Sequence, residues 1–207
     1  MKSLIDNIVS EVLKKLKDEY FIEIEASGRH IHLSQEDLEA LFGKDYVLTK
    51  VKELSQPGQY ACKERATIVG PKGSLKNVIV LGPVRKETQV EVSLTDAKVL
   101  GIDAPIRQSG DIKNTPSITI ETDKGRVTKE QGVIVAKRHI HIEEKDKDKF
   151  NVCDGEIVKV KVLSDRPLIF DDVVVRISPN FKTYMHIDYD EANACAFKPG
   201  TVGIILK

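Results

Sequence analysis

The chain has 207 residues, of which 41% are hydrophobic and 31% charged, and its 32 basic side chains balance 32 acidic ones. This composition predicts a globular protein of one large or two small domains. Balanced charge argues against nucleic acid or an anionic membrane as a partner, since both favour a basic excess. The sequence predicts neither a membrane span nor a secretory signal. Three scattered cysteines, Cys62, Cys153 and Cys195, predict free thiols in a reducing compartment.

Residues 1–20 are predicted to form an amphipathic helix. Apolar side chains recur along them at helical spacing: Leu4, Ile5, Ile8, Val9, Val12, Leu13 and Leu16. Such a helix packs on the body of its own chain or on a second copy, or it is a detachable peptide that docks in the groove of another protein. The residues alone leave both interpretations open.

From Phe21 the hydrophobic period changes to that of short strands. Ser34 opens a predicted short helix, with Asp37 as an acidic variant of the capping box and Gly43 as the C-cap. The other predicted helices are 96–101, which is a turn or a small helix, and 144–150, while 105–116 is a predicted loop. Strands are predicted over 21–24, 46–51, 64–69, 78–81, 89–94, 117–121, 126–128, 133–142, 157–163, 168–177 and 202–206. Many short strands between regular turns predict a mainly β fold of two small β-barrel domains with short helices.

The tetrad Arg-His-Ile-His occurs twice, at residues 29–32 and 138–141. Alternate residues of a strand share a face, so each copy presents two imidazoles on one side. Neutral imidazole suits zinc and related metals. A single His-x-His pair is weak evidence for a metal site, because the same pattern occurs on the polar face of an exposed strand. Two copies in a chain with five histidines favour metal binding. The repeat further suggests two related barrels.

Three ligands and an open position are typical of catalytic zinc. His139 and His141 with His186 would complete a three-histidine site. His30 and His32 would need a third ligand, for which a carboxylate is the natural candidate.

A second dense stretch runs from Gly82 to Glu91. Arg85 follows a Gly-Pro turn, and its planar guanidinium suits phosphate, while Glu91 on the next strand is a candidate oxygen ligand. The loop at Arg107-Gln108-Ser109-Gly110 has similar character. Composition alone favours the plainer interpretation, an exposed turn arginine and a solvent-facing strand glutamate.

Taken together, these motifs resemble the PduL-type phosphate acyltransferase family, in order and over nearly everything from Glu25 to the end. The matching stretches are Arg29-His30-Ile31-His32-Leu33, Gly82-Pro83-x-Arg85 with Thr88-Gln89-Val90-Glu91, Arg107-x-Ser109-Gly110, the second tetrad, and His186-Ile187-Asp188 with Asp190-Glu191-Ala192-Asn193-Ala194. The departures are Gly28, where a bulkier residue is usual, and Tyr189, where the family often has threonine.

The resemblance implies a pair of β-barrels with two zinc ions per chain between them, in a homodimer. The barrels are discontinuous, which places residues 21–28 with 137–207 in one and 29–136 in the other. The implied metal ligands are His30, His32 and Glu91, and His139, His141 and His186. Arg85 is the implied catalytic residue that handles phosphate, with Gln59 and Ser109 near the same anion.

The implied reaction interconverts propanoyl-CoA or acetyl-CoA plus phosphate with an acyl phosphate plus coenzyme A, by direct transfer. Many family members work in propanediol degradation inside bacterial microcompartments and carry an N-terminal packaging helix. The resemblance therefore implies a cytoplasmic location within such a compartment, with a shell protein as the partner of residues 1–20. The alternatives are another histidine-ligated metalloenzyme, cupin-like or hydrolytic, and a non-catalytic zinc-stabilised binding module.

Overall fold

The structure is a computed structural model that describes Ile5, Ile8, Glu11 and residues 20–206. The predicted helix over residues 1–20 therefore lies almost entirely outside the described residues. None of the helices in the described part of the chain has the length and apolar character needed to cross a membrane.

Short strands dominate the described residues, and the helices are brief. The strands are β1 Ile22–Ser27, β2 His30–His32, β3 Lys50–Glu53, β4 Tyr60–Val69, β5 Ser74–Gly82, β6 Gln89–Val92, β7 Ile106–Arg107, β8 Ile118–Glu121, β9 Arg126–Lys129, β10 Val133–Ala136, β11 His139–Glu143, β12 Ile157–Leu163, β13 Ile169–Ser178, β14 Tyr184–Asp188 and β15 Val202–Leu206. The helices are α1 Gln35–Phe42, α2 Leu94–Leu100, a 3-10 turn at Glu144–Asp146, α3 Lys147–Phe150 and α4 Tyr189–Ala194. The predicted mainly β fold class is confirmed.

The described chain divides into two compact units. The first, called the barrel unit, contains residues 20–26, 138–187 and 191–206. Its strands close in the order β1-β14-β11-β13-β12-β15. The core of this barrel is formed by strand residues that alternate between the inside and the outside. Along β12, Val158, Val160 and Val162 face the core, while Lys159 and Lys161 face outward.

The second, called the sheet unit, contains residues 27–137 and 188–190. Its nine-stranded sheet is a curled half-barrel in the order β7-β10-β6-β2-β5-β4-β8-β9, with β3 paired to β4. Its core is aliphatic and contains Ile31, Val80, Val90 and Val133, each fully buried.

Both tetrad strands occupy central positions in their sheets. Strand β2 lies between parallel β5 and antiparallel β6. Strand β11 lies between parallel β13 and antiparallel β14. The central isoleucines, Ile31 and Ile140, point into the two cores, so the histidines on either side must point away from them.

One predicted strand is wrong as a single element. The stretch 133–142 breaks at residues 137–138, so β10 belongs to the sheet unit and β11 to the barrel unit. The predicted strand over 46–51 is also displaced, because β3 begins only at Lys50. The loop that precedes β3 is held by the buried Glu64 carboxylate, which accepts hydrogen bonds from the Tyr46 hydroxyl at 2.9 Å and the Thr49 backbone N–H at 3.0 Å.

Candidate metal centres

The sheet unit brings His30, His32 and Glu91 together. Both imidazoles lie on the same side of β2, with ring centroids 4.9 Å apart, and Glu91 of β6 stands directly opposite His30 in the antiparallel register. Glu91 Oε2 lies 3.4 Å from His30 Nε2, and Glu91 Oε1 lies 4.0 Å from His32 Nε2. All three residues are buried, and their ligand atoms lie within 4.8 Å of one another.

The charges in this cluster favour an ionised carboxylate beside at least one neutral imidazole. Burial opposes the charged form of His30, but Glu91 outweighs it, so the pKa of His30 is raised. Burial, with the positive charges of His30 and Arg85, lowers the pKa of His32 well below its ordinary value. Burial would raise the pKa of Glu91, but His30 and His32 and a hydrogen bond from Ser109 hold it far below its usual range.

The barrel unit brings the other three histidines together. His139 and His141 lie on one side of β11, and His186 of β14 stands opposite His139. The ring centroids are 4.7 Å apart for His139 and His141, 5.2 Å for His139 and His186, and 5.0 Å for His141 and His186. Burial, with the charges of His139, His186 and Arg176, lowers the pKa of His141 to about 2. His141 is therefore neutral, with a nitrogen lone pair available, at physiological pH.

The donor sets fit divalent cations. His30 Nδ1 lies 2.9 Å from the Gly28 carbonyl oxygen, which can only accept, so the proton is on Nδ1 and Nε2 is the candidate ligand atom. Within the described residues, His32 Nδ1 and His141 Nδ1 are buried without a geometrically acceptable hydrogen-bond partner. In His32 the ring nitrogen that faces Glu91 is Nε2, at 4.0 Å from Oε1, so that nitrogen is the candidate ligand atom.

The guanidinium of Arg85 lies beside the first cluster. Its Nη1 donates to Ser109 Oγ at 2.9 Å, and that hydroxyl donates to Glu91 Oε1 at 2.8 Å. The Arg85 loop is attached to the tetrad strand, because the Arg85 backbone N–H donates to the Leu33 carbonyl oxygen at 2.8 Å. Gln59 lies in the turn before β4, where its N–H donates to the Gln56 carbonyl oxygen; its place near the anion stays a prediction.

The two units repeat one construction around their histidines. The arginine that opens each tetrad binds a carboxylate on the helix after the opposite strand: Arg29 binds Asp96 of α2 at 2.7 Å, and Arg138 binds Glu191 of α4 at 2.8 Å. Each carboxylate follows the candidate ligand opposite the first histidine, Glu91 or His186, by five positions. The repeat is therefore longer than the Arg-His-Ile-His tetrad. In each unit it includes the tetrad strand, the antiparallel strand opposite it and the helix that follows that second strand.

Several residues of these sites escaped sequence reasoning. Gln89 contacts Glu91 and Ser109 in the first cluster. In the second, Glu25 Oε2 lies 3.7 Å from His186 Nδ1, and Phe181 lies 4.2 Å from His141 between ring centroids. The equal spacing from Glu91 to Asp96 and from His186 to Glu191 could have revealed the two arginine partners, but it does not mark any of these three residues.

Among known proteins, the matching family model and the similar relatives carry the same description, phosphate propanoyltransferase. The family model described as phosphate propanoyltransferase matches residues 23–198. The chain is 64% identical over 207 residues to a phosphate propanoyltransferase of Clostridioides difficile strain 630, covering 100% of this chain and 99% of the relative. It is 58% identical over 204 residues to one of Listeria monocytogenes, covering 99% and 96%. It is 56% identical over 200 residues to one of Thermotoga maritima, covering 96% and 95%.

Proposed function

The chain belongs to the phosphate propanoyltransferase family, and on that premise we propose that it interconverts an acyl-CoA and phosphate with an acyl phosphate and free coenzyme A. It is an acyltransferase. The observation that carries the proposal is the contact path from the Arg85 guanidinium through Ser109 to Glu91, which places an anion-binding group beside a candidate metal centre.

We further propose that each cluster holds one zinc ion. The donor sets are His30, His32 and Glu91 in the sheet unit, and His139, His141 and His186 in the barrel unit. Bound zinc supplies Lewis-acid chemistry, which polarises a carbonyl and stabilises a thiolate. The convergence of three donor atoms within 4.8 Å in each cluster and the lowered pKa values of His32, His141 and Glu91 support this assignment.

In this proposal Arg85 binds and orients the phosphate substrate. A phosphate oxygen attacks the thioester carbonyl carbon, the carbon–sulfur bond breaks, and coenzyme A leaves as a thiolate that then takes up a proton. A fixed guanidinium offsets the desolvation of phosphate, and holding both substrates together removes much of the bimolecular cost. Arg85 is half-buried and anchored at Leu33 and Ser109, so it is already ordered for this task.

The side chains favour direct transfer without an acyl-enzyme. Burial raises the pKa of the Cys62 thiol to about 11, and burial also raises the pKa of the Cys195 thiol. Ser109 does contact a carboxylate, but the depressed pKa of Glu91 makes it a weak base. Mass spectrometry after incubation with propanoyl-CoA is expected to find no acylated residue, and a stable acyl adduct would contradict direct transfer.

A thiol-release assay tests the function directly. Purified protein is incubated with propanoyl-CoA or acetyl-CoA, with and without phosphate, and free thiol is measured. The proposal predicts thiol release that requires phosphate and is accompanied by acyl phosphate. Release without phosphate would indicate a hydrolase, and no release with either substrate would favour a binding module.

Replacement of Arg85 tests the anion site. Arg85→Ala removes a charge-assisted contact to phosphate, and such contacts are worth roughly 1.5–3 kcal/mol, so the KM for phosphate is expected to rise about 10- to 100-fold. The KM for propanoyl-CoA should change far less. Arg126→Ala is the matched control, because Arg126 is an exposed arginine on β9 of the same unit. An unchanged phosphate KM in Arg85→Ala would remove Arg85 from the proposed mechanism.

We propose in addition that residues 1–20 direct the enzyme into a bacterial microcompartment through a shell protein, and that the chain forms a homodimer. The proposed domains are 21–28 with 137–207, and 29–136. The amphipathic spacing of Leu4, Ile8 and Val12 supports the packaging role.

A further inference from the structure

Gln89 is a buried amide that the proposed reaction does not yet use. It is 2% exposed, begins β6, and stands opposite His32 in the same register that places Glu91 opposite His30. Its side chain therefore faces the first cluster from the strand that carries the carboxylate ligand. A buried amide at such a position has to satisfy two donor hydrogens and an acceptor oxygen.

The surrounding groups use the whole Gln89 amide. Its Nε2 donates to Glu91 Oε1 at 2.6 Å and to Ser109 Oγ at 2.9 Å. Its Oε1 accepts from the Gly110 backbone N–H at 2.7 Å. The reversed amide would set its oxygen against the Glu91 carboxylate and its NH₂ against a backbone donor, so only one orientation satisfies the site.

The hydroxyl of Ser109 is fully used as well. The Arg85 guanidinium and the Gln89 NH₂ group can only donate, so both of their contacts with Oγ require that Ser109 accept. The single Ser109 proton is left for Glu91 Oε1, 2.8 Å away. Ser109 thus has no proton left to give to a phosphate substrate while these contacts persist.

The two oxygens of Glu91 consequently have different tasks. Oε1 accepts from both Gln89 and Ser109, whereas Oε2 lies 3.4 Å from His30 Nε2 among the candidate ligand atoms. Groups that hold one oxygen of a ligating carboxylate orient the other oxygen toward the metal.

We infer that Gln89 is a positioning residue, which fixes Ser109 as the link between Arg85 and Glu91 and presents Glu91 Oε2 to the cation. This inference rests on the proposed function and assigns Ser109 to the link instead of to direct contact with phosphate. It also gives the phosphate-binding arginine and the metal ligand a common support, so damage at Gln89 should affect both.

Gln89→Met tests the inference, because methionine has similar length but lacks the amide. Zinc affinity is measured by competition with a chelator, and kinetics are measured separately for phosphate and propanoyl-CoA. One zinc equivalent should bind about 10- to 100-fold more weakly, the effect typical of outer-shell changes. The phosphate KM should rise severalfold while the propanoyl-CoA KM stays within about twofold, a split that general destabilisation would not produce.

The matched control is Gln35→Met. Gln35 also donates from Nε2 to a glutamate, Glu39 Oε1 at 2.7 Å, but that pair is exposed on α1 and does not contact the cluster. Zinc affinity and both KM values of this variant should match those of the unmodified protein. Ser109→Ala should weaken zinc binding and raise the phosphate KM as Gln89→Met does. Ser109→Thr keeps a hydroxyl, so its zinc affinity and phosphate KM should return at least in part to those of the unmodified protein.

The two readouts separate the possible failures. If Gln89→Met and Ser109→Ala fold and keep the zinc affinity and phosphate KM of the unmodified protein, the inference is overturned. If Gln89→Met does not fold, Ser109→Ala decides by the same measurements. Absence of phosphate-dependent thiol release in the unmodified protein would overturn the proposed function, whereas the zinc affinities would still decide the role of Gln89. Absence of zinc binding at this cluster would overturn the inference.

Discussion

One histidine in each cluster, His32 or His141, lies where its charged form is disfavoured. His32 is 3% exposed and His141 is 6% exposed, and each lies beside other positive groups. Such sites cost stability unless a cation or another partner uses the ring nitrogens. Without metal, we expect the clusters to make the protein sensitive to mild acid.

His141 determines in which direction pH should change the stability of the metal-free protein. Its pKa is about 2 in the folded chain and near 6.5 when unfolded, so below pH 6.5 the unfolded chain binds the extra proton and stability falls. Metal-stripped protein should lose up to about 1.4 kcal/mol per pH unit from this group between pH 6.5 and 5. Denaturant unfolding of His141→Gln should show a correspondingly shallower pH dependence. If the free energy of unfolding depended equally on pH in the two proteins, the lowered pKa of His141 would be contradicted.

Sequence reasoning predicted the residues of both clusters but missed the side chains that surround them, for a physical reason. Alternation along a strand is local, so the pairing of His30 with His32, and of His139 with His141, can be predicted from the sequence. The partner of a strand residue depends on register, which is set by distant packing. Gln89 therefore looked like an ordinary strand position, although its amide joins Ser109, twenty positions away, to the cluster.

At the scale of elements, an arginine–carboxylate pair attaches each tetrad strand to a following helix. Asp96 binds Arg29 through both oxygens and also completes the capping box of α2 with Ser93. By contrast, the predicted capping box of α1 is only half formed. Ser34 Oγ accepts from the Asp37 N–H, but the Asp37 carboxylate bonds Thr88 and Lys129 instead of returning to Ser34.

Removing the first of these arginines should destabilise the sheet unit. Arg29→Met leaves the buried Asp96 without its bidentate partner, and we expect a loss of about 1–2 kcal/mol after allowing for the partial exposure of Arg29. Arg126→Met is the matched control, since its pair with Glu121 is exposed and should contribute no more than about 0.5 kcal/mol. Thermal unfolding measures the stability of both variants. An equal loss of stability in the two would contradict the view that Arg29 attaches the tetrad strand to α2.

The failed strand prediction over 133–142 shows a limit of hydrophobic pattern. Apolar residues lie on both sides of Lys137-Arg138 in this stretch, yet β10 pairs with β6 and β7, whereas β11 pairs with β13 and β14. The charged pair Lys137-Arg138 stands at the break, but charged residues also occur within strands such as β12, so the pair alone does not mark a change of sheet. Strands β12 and β15 were predicted with their observed bounds because alternation and flanking turns coincide there.

For the molecule as a whole, the chain enters the barrel unit, builds the sheet unit and returns. Discontinuity of this kind cannot be deduced from the element order alone. It was implied by the resemblance to the family, whereas the repeated tetrads by themselves suggested only two related units.

The packaging role of residues 1–20 is tested at this scale. Fusing these residues to a fluorescent reporter in cells that make microcompartments should concentrate the reporter in the compartments. A fusion in which Leu4, Ile8 and Val12 become glutamate is the control, because it removes the apolar stripe and should remain dispersed. Equal dispersion of both fusions would contradict a packaging role.

Zinc counting tests the central claim, that each unit assembles its own three-ligand centre. The unmodified protein is expected to retain two zinc equivalents per chain after exhaustive dialysis, and Glu91→Ala and His186→Ala should each retain one. Two equivalents in both variants, or none in the unmodified protein, would contradict the account.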